Sequence, residues 1–344
     1  MSLPYRTKRR LQNLAIAGLI LILVLAALWL VWMLWLERFV VYTRDGVKLD
    51  FSLSSQTLSG VPAEPPLPGE TIPIYINDGE EPGQTERELE KLSGYYIDGD
   101  MLRKEMATVV SQIRLLPPGT PVMMDIKDIS GRFYYSTAVG AENNANMDIG
   151  AVDDLIDLMR QRNLYMIARM PAFRDRVYGG SHVPDGIYHS SRGYLWVDGT
   201  RCYWLNPTRE GVISYLLEIT SELKALGFDE AVFTDFRVPD SENIYFPWDK
   251  TQALNDAAAL LARAAATESF AVSFQPGVDI TLPGGRTRLY VDGADPATAE
   301  ELAAGLETPD ARLVILTESR DTRLEEYGIL RPLNTAIITQ EEEE

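Results

Sequence analysis

Several short apolar runs of the sequence end in charged side chains, and these residues have the types that could perform chemistry. The clearest run is GFDEAVFTDFRVPD (227–240), in which Asp235 and Arg237 follow a strongly apolar stretch. Other runs end in the same way, at Asp98, Asp125, Lys127, Asp128, Arg169, Asp292 and Glu318. Two carboxylates, one kept protonated and one ionised by their neighbours, are the groups that cleave glycosidic bonds. The charged residues are therefore candidates for acid–base chemistry on a carbohydrate.

The two-residue repeat of a β-strand predicts which of these side chains share a face. Asp235 and Arg237 lie on one face of their strand, and Asp125 and Lys127 share a face with Asp128 opposite. An alternative interpretation is a structural ring of salt bridges between these Asp, Lys and Arg side chains, because structural ion networks also shift pKa values. A turn-forming role is favoured for two carboxylates that precede glycine, Asp98 and Asp292.

Eight strand-like runs would position these side chains. They are GYYID (94–98), PVMMDI (121–126), LYMIARM (164–170), EAVFTDF (230–236), FAVSF (270–274), RLYVD (288–292), RLVILT (312–317) and TAIIT (335–339). Nearly continuous apolar strands that alternate with helices predict a parallel sheet covered on both faces, and eight strands can close a barrel. An open doubly wound sheet is the alternative, but residues 98–100 lack its glycine-rich turn. We predict an α/β fold, a (β/α)8 TIM-like barrel.

Helical periodicity fills most of the gaps between the strands. The predicted helices cover residues 101–116, 149–163, 206–227, 249–268, 295–306 and 322–328. The helix before the fourth strand has Asn206 as its cap and Gly227 as its stop. Residues 275–287 are too short and too rich in Pro and Gly for a helix, so the barrel is predicted to be irregular in its second half.

The N-terminal segment is predicted to span a membrane. Residues 14–36 carry no charge over 23 positions, which as a helix is about 35 Å at ~1.5 Å per residue, enough for a bilayer core. Residues 1–13 are basic and are expected to stay in the cytoplasm, so that the rest of the chain is extracytoplasmic. A cleaved signal peptide is the competing interpretation, but its apolar core would be shorter and would precede small residues. A retained anchor is favoured.

The remaining segments are assigned from their composition. Residues 37–91 contain an alternating stretch around Asp45-Gly46, typical of a hairpin, and a linker rich in Pro, Ser and Gly. Residues 92–339 are predicted to form the barrel, and residues 340–344 an acidic tail. The whole chain has 32 Lys and Arg against 50 Asp and Glu, and four of the basic residues precede the anchor. The part after the anchor is therefore strongly acidic, which disfavours nucleic acid as a partner. A single cysteine, Cys202, and two histidines favour neither a disulfide scaffold nor a histidine-rich metal site, and no cofactor is predicted.

Four stretches in order resemble a known family. They are MMDIKDISG (123–131), LYMIARMPAFRDR (164–176), YWLNP (203–207) and LGFDEAVFTDFRVP (226–239), and together they resemble the glycoside hydrolase domain called DUF4015. The resemblance covers roughly residues 92 to 240 and implies a TIM barrel related to the glycosidase group that includes the α-amylases. It therefore implies carbohydrate as the substrate or ligand.

The resemblance also implies roles for residues at the motif positions. The positions that match are Asp125, Lys127, Asp128, Arg169, Trp204, Asn206, Pro207, Arg237 and Pro239, and Phe173, Arg174 and Asp175 stand where the family has Phe-Lys-Asp. One position departs, because the family carries Asp directly after Phe where this sequence has Thr234, followed by Asp235. Either a bulge at the strand end restores the direction of Asp235, or the site lacks this carboxylate and the activity that depends on it.

If the protein is an enzyme, Asp235 is the first catalytic carboxylate that we expect. Glu318 is the expected partner by analogy with retaining barrel glycosidases, and Asp125 is the alternative. The expected substrate-binding residues are Lys127, Asp128, Arg169, Arg237, Trp204 and Trp196, the tryptophans by stacking on sugar rings. Packing of the loop is an equally good explanation for the tryptophans.

Three functional interpretations remain open. The leading one is a membrane-anchored, extracytoplasmic glycoside hydrolase that acts on an envelope or extracellular polysaccharide. The second is a glycan-binding protein with the same barrel and an inactive site, which Thr234 favours. The third is a structural or assembly protein of the envelope that uses the barrel as a docking surface.

Overall fold

The computed structural model describes residues 40–43, 46–49, 89–139 and 142–335. The predicted anchor (14–36), most of the predicted linker and the acidic tail lie outside these residues. Strands β1 (Val40–Thr43) and β2 (Gly46–Leu49) pair antiparallel, with Val40 opposite Leu49, which confirms the predicted hairpin. Among the described residues, the helices are too short or too polar to cross a membrane.

Ten further strands lie between residues 89 and 335. They are β3 (Ser93–Ile97), β4 (Pro121–Asp125), β5 (Tyr165–Pro171), β6 (Tyr188–His189), β7 (Glu230–Thr234), β8 (Ile244–Tyr245), β9 (Ala271–Gln275), β10 (Leu289–Asp292), β11 (Leu313–Leu316) and β12 (Gly328–Pro332). Eight of them form a closed parallel barrel in the order β3-β4-β5-β7-β9-β10-β11-β12, with β12 paired to β3. β6 and β8 pair antiparallel outside the barrel. The predicted eight-stranded barrel is confirmed.

The eighth barrel strand differs from the prediction. It is β12 (Gly328–Pro332), whereas the predicted strand 335–339 lies outside the described residues except for Thr335, which ends a 3-10 turn. The helix predicted at 322–328 is only a 3-10 turn at Leu324–Glu326. Gly328 suits the strand because a Cβ there would lie 3.1 Å from the Leu313 carbonyl oxygen. The glycine here allows close packing of β12 on β11 and does not end a helix.

Eight helices surround the barrel within the described residues. They are α1 (Gly99–Lys104), α2 (Met106–Ile113), α3 (Ile149–Gln161), α4 (Arg176–Ser181), α5 (Glu210–Leu226), α6 (Lys250–Ala265), α7 (Pro296–Ala303) and α8 (Pro309–Arg312). α5 ends at Gly227 in the left-handed conformation, as predicted. The cap expected at Asn206 is absent, because Asn206 accepts hydrogen bonds from Thr208 in the turn before the helix. Residues 276–287, all described, contain no helix, which confirms the predicted irregularity.

The core consists of two layers that follow the alternation of each strand. Side chains from alternate positions fill the barrel interior, among them Met123, Ile167, Val232, Tyr290, Val314 and Leu330. The intervening positions pack against the helices, as Val122 and Met124 of β4 do. This alternation fixes which polar side chains at the strand ends point inward, because position 125 has the parity of Met123 and position 169 that of Ile167.

A buried polar network closes the barrel at the amino-terminal ends of the strands. Glu230 at the start of β7 is fully buried and forms an ion pair with Arg288, which is 1% exposed. Its carboxylate also accepts hydrogen bonds from the hydroxyl groups of Tyr165, Tyr290 and Ser273, at 2.9, 3.0 and 2.5 Å. Because this network lies at the end of the barrel away from the strand carboxyl ends, it is expected to stabilise the fold.

Candidate active site

Two strands deliver an ion pair to the carboxyl-terminal mouth of the barrel. Asp125 of β4 and Arg169 of β5 are register partners, and both side chains point inward. Arg169 donates from Nε and Nη2 to the two carboxylate oxygens of Asp125 at 2.6 and 3.2 Å, and the Gly99 amide donates a third bond at 3.0 Å. Such a bidentate pair is strong and directional. It fixes the Asp125 carboxylate at the mouth.

Arg169 also approaches a second carboxylate across the barrel mouth, that of Asp292. Arg169 Nη1 lies 3.9 Å from Oδ1 of Asp292 at the end of β10, and Gln275 of β9 donates to Oδ2 of Asp292 at 2.6 Å. Asp292 shares the parity of the interior residue Tyr290, yet its side chain is 68% exposed. Asp292 thus serves as a carboxylate of the mouth, whereas its sequence context suggested only a turn.

The end of β7 places two polar residues at the same mouth. Thr234 continues the strand ladder opposite Pro171 and Gln275 and points inward. Asp235 follows with φ of 47°, in the left-handed region that a residue with a Cβ rarely adopts. Phe236 anchors this turn, because its buried ring packs on Phe173 with centroids 4.7 Å apart.

The left-handed turn at Asp235 follows a strand with regular pairing up to Thr234, so no bulge is involved. Thr234 and Asp235 both line the cavity. Such strained backbone often occurs at functional sites.

Two arginines flank Asp235. Arg174 Nη1 and Arg237 Nη2 each lie 3.9 Å from Oδ1 of Asp235, whose side chain is 16% exposed. Burial raises the pKa of Asp235 above its ordinary value, although the positive charges of Arg174 and Arg237 lower it in part. The site therefore favours the protonated form of Asp235 more than water does.

Arg174 is held in place by a network that the sequence did not reveal. Its Nη2 lies 2.8 Å from Oδ2 of Asp198, which also accepts a bond from the Trp204 indole at 3.1 Å. Burial opposes ionisation of Asp198, but hydrogen bonds from Thr200, the Cys202 amide and Trp204 hold its pKa at about 2. Asp198 is thus a fixed negative charge that orients Arg174.

The predicted aromatic residues are placed differently from a sugar-stacking platform. Trp204 is 3% exposed, and the guanidinium carbons of Arg174 and Arg237 each lie 5.6 Å from its ring centre. Trp196 is half-buried and packs against the core. Trp204 therefore packs the loop between β5 and α5 and positions the two arginines, whereas Trp196 contributes to packing against the core.

Two predicted binding residues of the β4 motif have structural contacts. The Lys127 ammonium lies 3.0 Å from Oδ2 of Asp175, and both side chains are fully buried. Tyr215 donates to the same oxygen at 3.0 Å. Asp128 accepts hydrogen bonds from Ser130, from the Arg132 amide and from Asn144, and so holds the loop after β4 in shape. Lys127 and Asp128 both line the cavity, but the Lys127 side chain itself is buried against Asp175.

Glu318 does not join the other carboxylates. It is exposed beyond the end of β11, and it is absent from the residues that line the cavity in the described part of the chain. Its charge is close to Tyr96, whose pKa is raised by burial and further by Glu318. Asp125, the alternative partner, lines the same cavity as Asp235.

One cavity of about 1440 Å³ contains the mouth. It is lined there by Asp125, Arg169, Thr234, Asp235, Arg237, Gln275 and Asp292. It exceeds the roughly 300–1,000 Å³ typical of small-ligand sites. No group of three or more His, Cys, Asp or Glu side chains that could hold a metal ion occurs among the described residues.

A comparison with protein families matches residues 94–276 to DUF4015, described as a "Putative glycosyl hydrolase domain". The chain belongs to the DUF4015 family. The match spans more than half of the chain and five of the eight barrel strands, namely β3 without its first residue, β4, β5, β7 and β9. No curated protein matches the chain.

Solved structures provide further similarities for this DUF4015 member. A hypothetical protein from Ruminiclostridium thermocellum ATCC 27405 is 21% identical with a TM-score of 0.43, over 57% of this chain and 96% of that chain. A GH20 exo-β-N-acetylglucosaminidase from Vibrio harveyi is 12% identical, with a TM-score of 0.45 over 66% of this chain and 41% of that chain. An α-galactosidase from Lactobacillus brevis is 11% identical, with a TM-score of 0.47 over 72% of this chain and 38% of that chain. The DUF4015 chain thus spans less than half of each of these two named glycosidases.

Proposed function

We propose that the protein is a glycoside hydrolase whose reaction takes place at the barrel mouth. The observation that carries the proposal is that Asp125 and Asp235, from different strands, line one cavity in contrasting environments. Asp235 has a pKa raised by burial, whereas Asp125 is held by two hydrogen bonds from Arg169 and one from a backbone amide. A pair of carboxylates with different environments is the arrangement that glycoside hydrolysis requires.

The proposed roles follow from these environments. Asp235 gives its proton to the glycosidic oxygen as the bond from that oxygen to the anomeric carbon breaks. The Asp125 carboxylate faces the positive charge that develops on the sugar ring, and Arg169 keeps that carboxylate in place. Water then adds to the anomeric carbon and returns one proton to the site, so the products are a hemiacetal sugar and an alcohol.

Hydrolysis of a glycan panel by residues 79–344, which form one compact unit, tests the proposal. We expect Asp235→Asn and Asp125→Asn to abolish hydrolysis of any glycan that the wild type cleaves. Asp240→Asn is the matched control, because Asp240 is fully exposed in the same loop and forms an ion pair with Lys250. Full activity in Asp235→Asn would overturn the assignment.

A glycan-binding protein without activity is the second candidate. Thr234 supports it, because this residue occupies the inward position at the end of β7 where the family pattern has Asp. Retention of glycans without turnover, unchanged in Asp235→Asn, would favour this candidate. Co-purification of an envelope protein without glycan affinity would favour a docking role instead.

We further propose that residues 14–36 anchor the protein and that the barrel is extracytoplasmic, where it would meet an envelope or extracellular polysaccharide. The uncharged run of 23 residues and the preceding arginines and lysine support this orientation. Protease added to intact cells should digest the barrel if the proposal is correct. Protection of the barrel until the cells are lysed would contradict it.

A further inference from the structure

The cavity at the barrel mouth has a second limb on the outside of the barrel. It extends from Asp292 along the outer face of β10, where Leu289 and Val291 are only half-buried. A helix between β9 and β10 would normally cover such a face. Here residues 276–287, all described, contain no helix, so the outer face of β10 stays open to the cavity.

Apolar side chains form a continuous part of the walls of this limb, beside the charged Asp279, Glu301 and Glu307 of the same segments. Leu302 and Leu306 come from α7 and the turn after it, and Val278, Ile280 and Leu282 come from the loop between β9 and β10. Val278 is 41% exposed, and the other four side chains are half-buried. Apolar surface that lines a cavity next to a polar site is typical of a binding site for an apolar group.

Hydrogen bonds hold the loop that forms the limb at its middle and at its carboxyl-terminal end. Asn255 of α6 accepts a bond from the Thr281 amide at 2.8 Å. Further along the loop, Arg312 donates from Nε to the Thr287 carbonyl oxygen at 3.0 Å and also contacts the Pro283 carbonyl oxygen. These bonds fix the second half of the loop, so this wall of the limb is pre-formed.

We propose that this limb binds an apolar aglycone, an alkyl or aryl group attached to the sugar that sits at the charged mouth. The inference rests on the proposed function, because it names the class of substrate for the same site. The occupant follows from continuity: the limb opens into the mouth within one cavity, so a group bonded to the sugar reaches the limb directly. Burial of its methylene groups against the apolar walls favours binding by the hydrophobic effect.

The test compares binding of hexyl and methyl β-D-glucoside to residues 79–344 by isothermal titration calorimetry. This unit contains the whole closed barrel and its core, so it can be studied without the N-terminal segment. Hexyl glucoside has five more methylene groups, and we expect it to bind at least tenfold more tightly. Equal affinity for the two glucosides would overturn the inference.

Variants locate the binding of the hexyl group. Val278→Glu should abolish the hexyl preference, and Leu306→Glu is a second variant in the opposite wall. Leu260→Glu is the matched control, because Leu260 is also 41% exposed but lies on α6 outside the cavity lining. A hexyl preference that persists in both limb variants would overturn the inference, because binding would then occur elsewhere.

The outcome is separable from that of the proposed function. A hexyl preference lost in Val278→Glu, in a protein that hydrolyses no glycan, supports the apolar limb and refutes the hydrolase. Hydrolysis of glycans without any hexyl preference supports the hydrolase and refutes the apolar limb.

Discussion

Replacement of Glu230 by Gln should strongly destabilise the barrel. The substitution keeps the shape of the side chain but removes the charge that faces Arg288, and both residues are almost completely inaccessible to water. Arg288 also donates to the carbonyl oxygens of Glu90 and Ala311, each at 3.0 Å, so it cannot turn out to solvent without losing these bonds. The arginine would thus remain as a buried charge without its counter-ion.

Breaking a buried ion pair from one side costs about 3–5 kcal/mol. At roughly 2–4 °C per kcal/mol for a domain of this size, the melting temperature should fall by roughly 6–20 °C. The loss should lie near the upper end, because Tyr165, Tyr290 and Ser273 also donate to this carboxylate. The raised pKa of Arg288, which burial opposes and Glu230 favours, agrees with strong coupling of the pair.

Urea denaturation of the wild type, Glu230→Gln, Arg288→Met and the double variant provides the measurement. The double-mutant cycle should give a coupling free energy of at least about 2 kcal/mol, because the two residues are in direct contact. Asp157→Asn is a suitable control, since Asp157 forms an exposed ion pair with Arg160 that should contribute at most about 1 kcal/mol. A loss below about 1 kcal/mol in Glu230→Gln would refute the reasoning.

Three further predictions concern the charged residues of the mouth and its surroundings. Asp235→Asn should lower kcat/KM by about 10²–10⁴. Because the folded-state pKa of Asp235 is raised, the wild type loses stability as pH rises through that pKa. The melting temperature of the variant relative to that of the wild type should therefore be higher at pH 8 than at pH 4, and the opposite trend would contradict the raised pKa. Arg237→Gln removes a charge that lowers the pKa of Asp235, so the basic limb of the kcat/KM profile should move to higher pH at low salt, whereas Arg237→Lys should leave it in place. Lys127→Met leaves Asp175 buried without its cation and should lower the free energy of unfolding by about 3–5 kcal/mol, with KM unchanged. An increase in KM at unchanged stability would instead indicate the substrate-binding role expected from the sequence.

The barrel could be predicted because its strands have a simple signal. Buried parallel strands are nearly continuous apolar runs, and seven of the eight were placed within a residue or two. The eighth strand was misplaced because its first and last residues, Gly328 and Pro332, are residue types typical of loops. Only three residues, Ile329 to Arg331, lie between them. Only pairing with β3 and β11, which the local sequence does not encode, identifies this segment as a strand.

The site could be predicted only where strand parity determines it. Asp125 and Arg169 lie at inward positions of neighbouring strands, so their approach follows from the two-residue repeat. Asp292 lies two positions after the inward-facing Tyr290 on β10, so the same repeat could have predicted its place at the mouth. Asp198 gave no such signal, because it lies in a loop and contacts Arg174 only through the tertiary fold. The burial of Lys127 depends likewise on Asp175, 48 residues later.

The missing helix between β9 and β10 has a consequence for how such a barrel can diversify. Most crossovers of the fold carry part of the helical shell, and a change in their length disturbs packing on both neighbours. Residues 276–287 carry none of that shell, and they are held by the packing of Ile280 and Leu282 and by a few hydrogen bonds. Insertions or exchanges in this segment could therefore alter which leaving groups are accepted while Asp125, Arg169 and Asp235 keep their positions. If the limb binds the leaving group as proposed, selectivity and chemistry lie in separate parts of the chain.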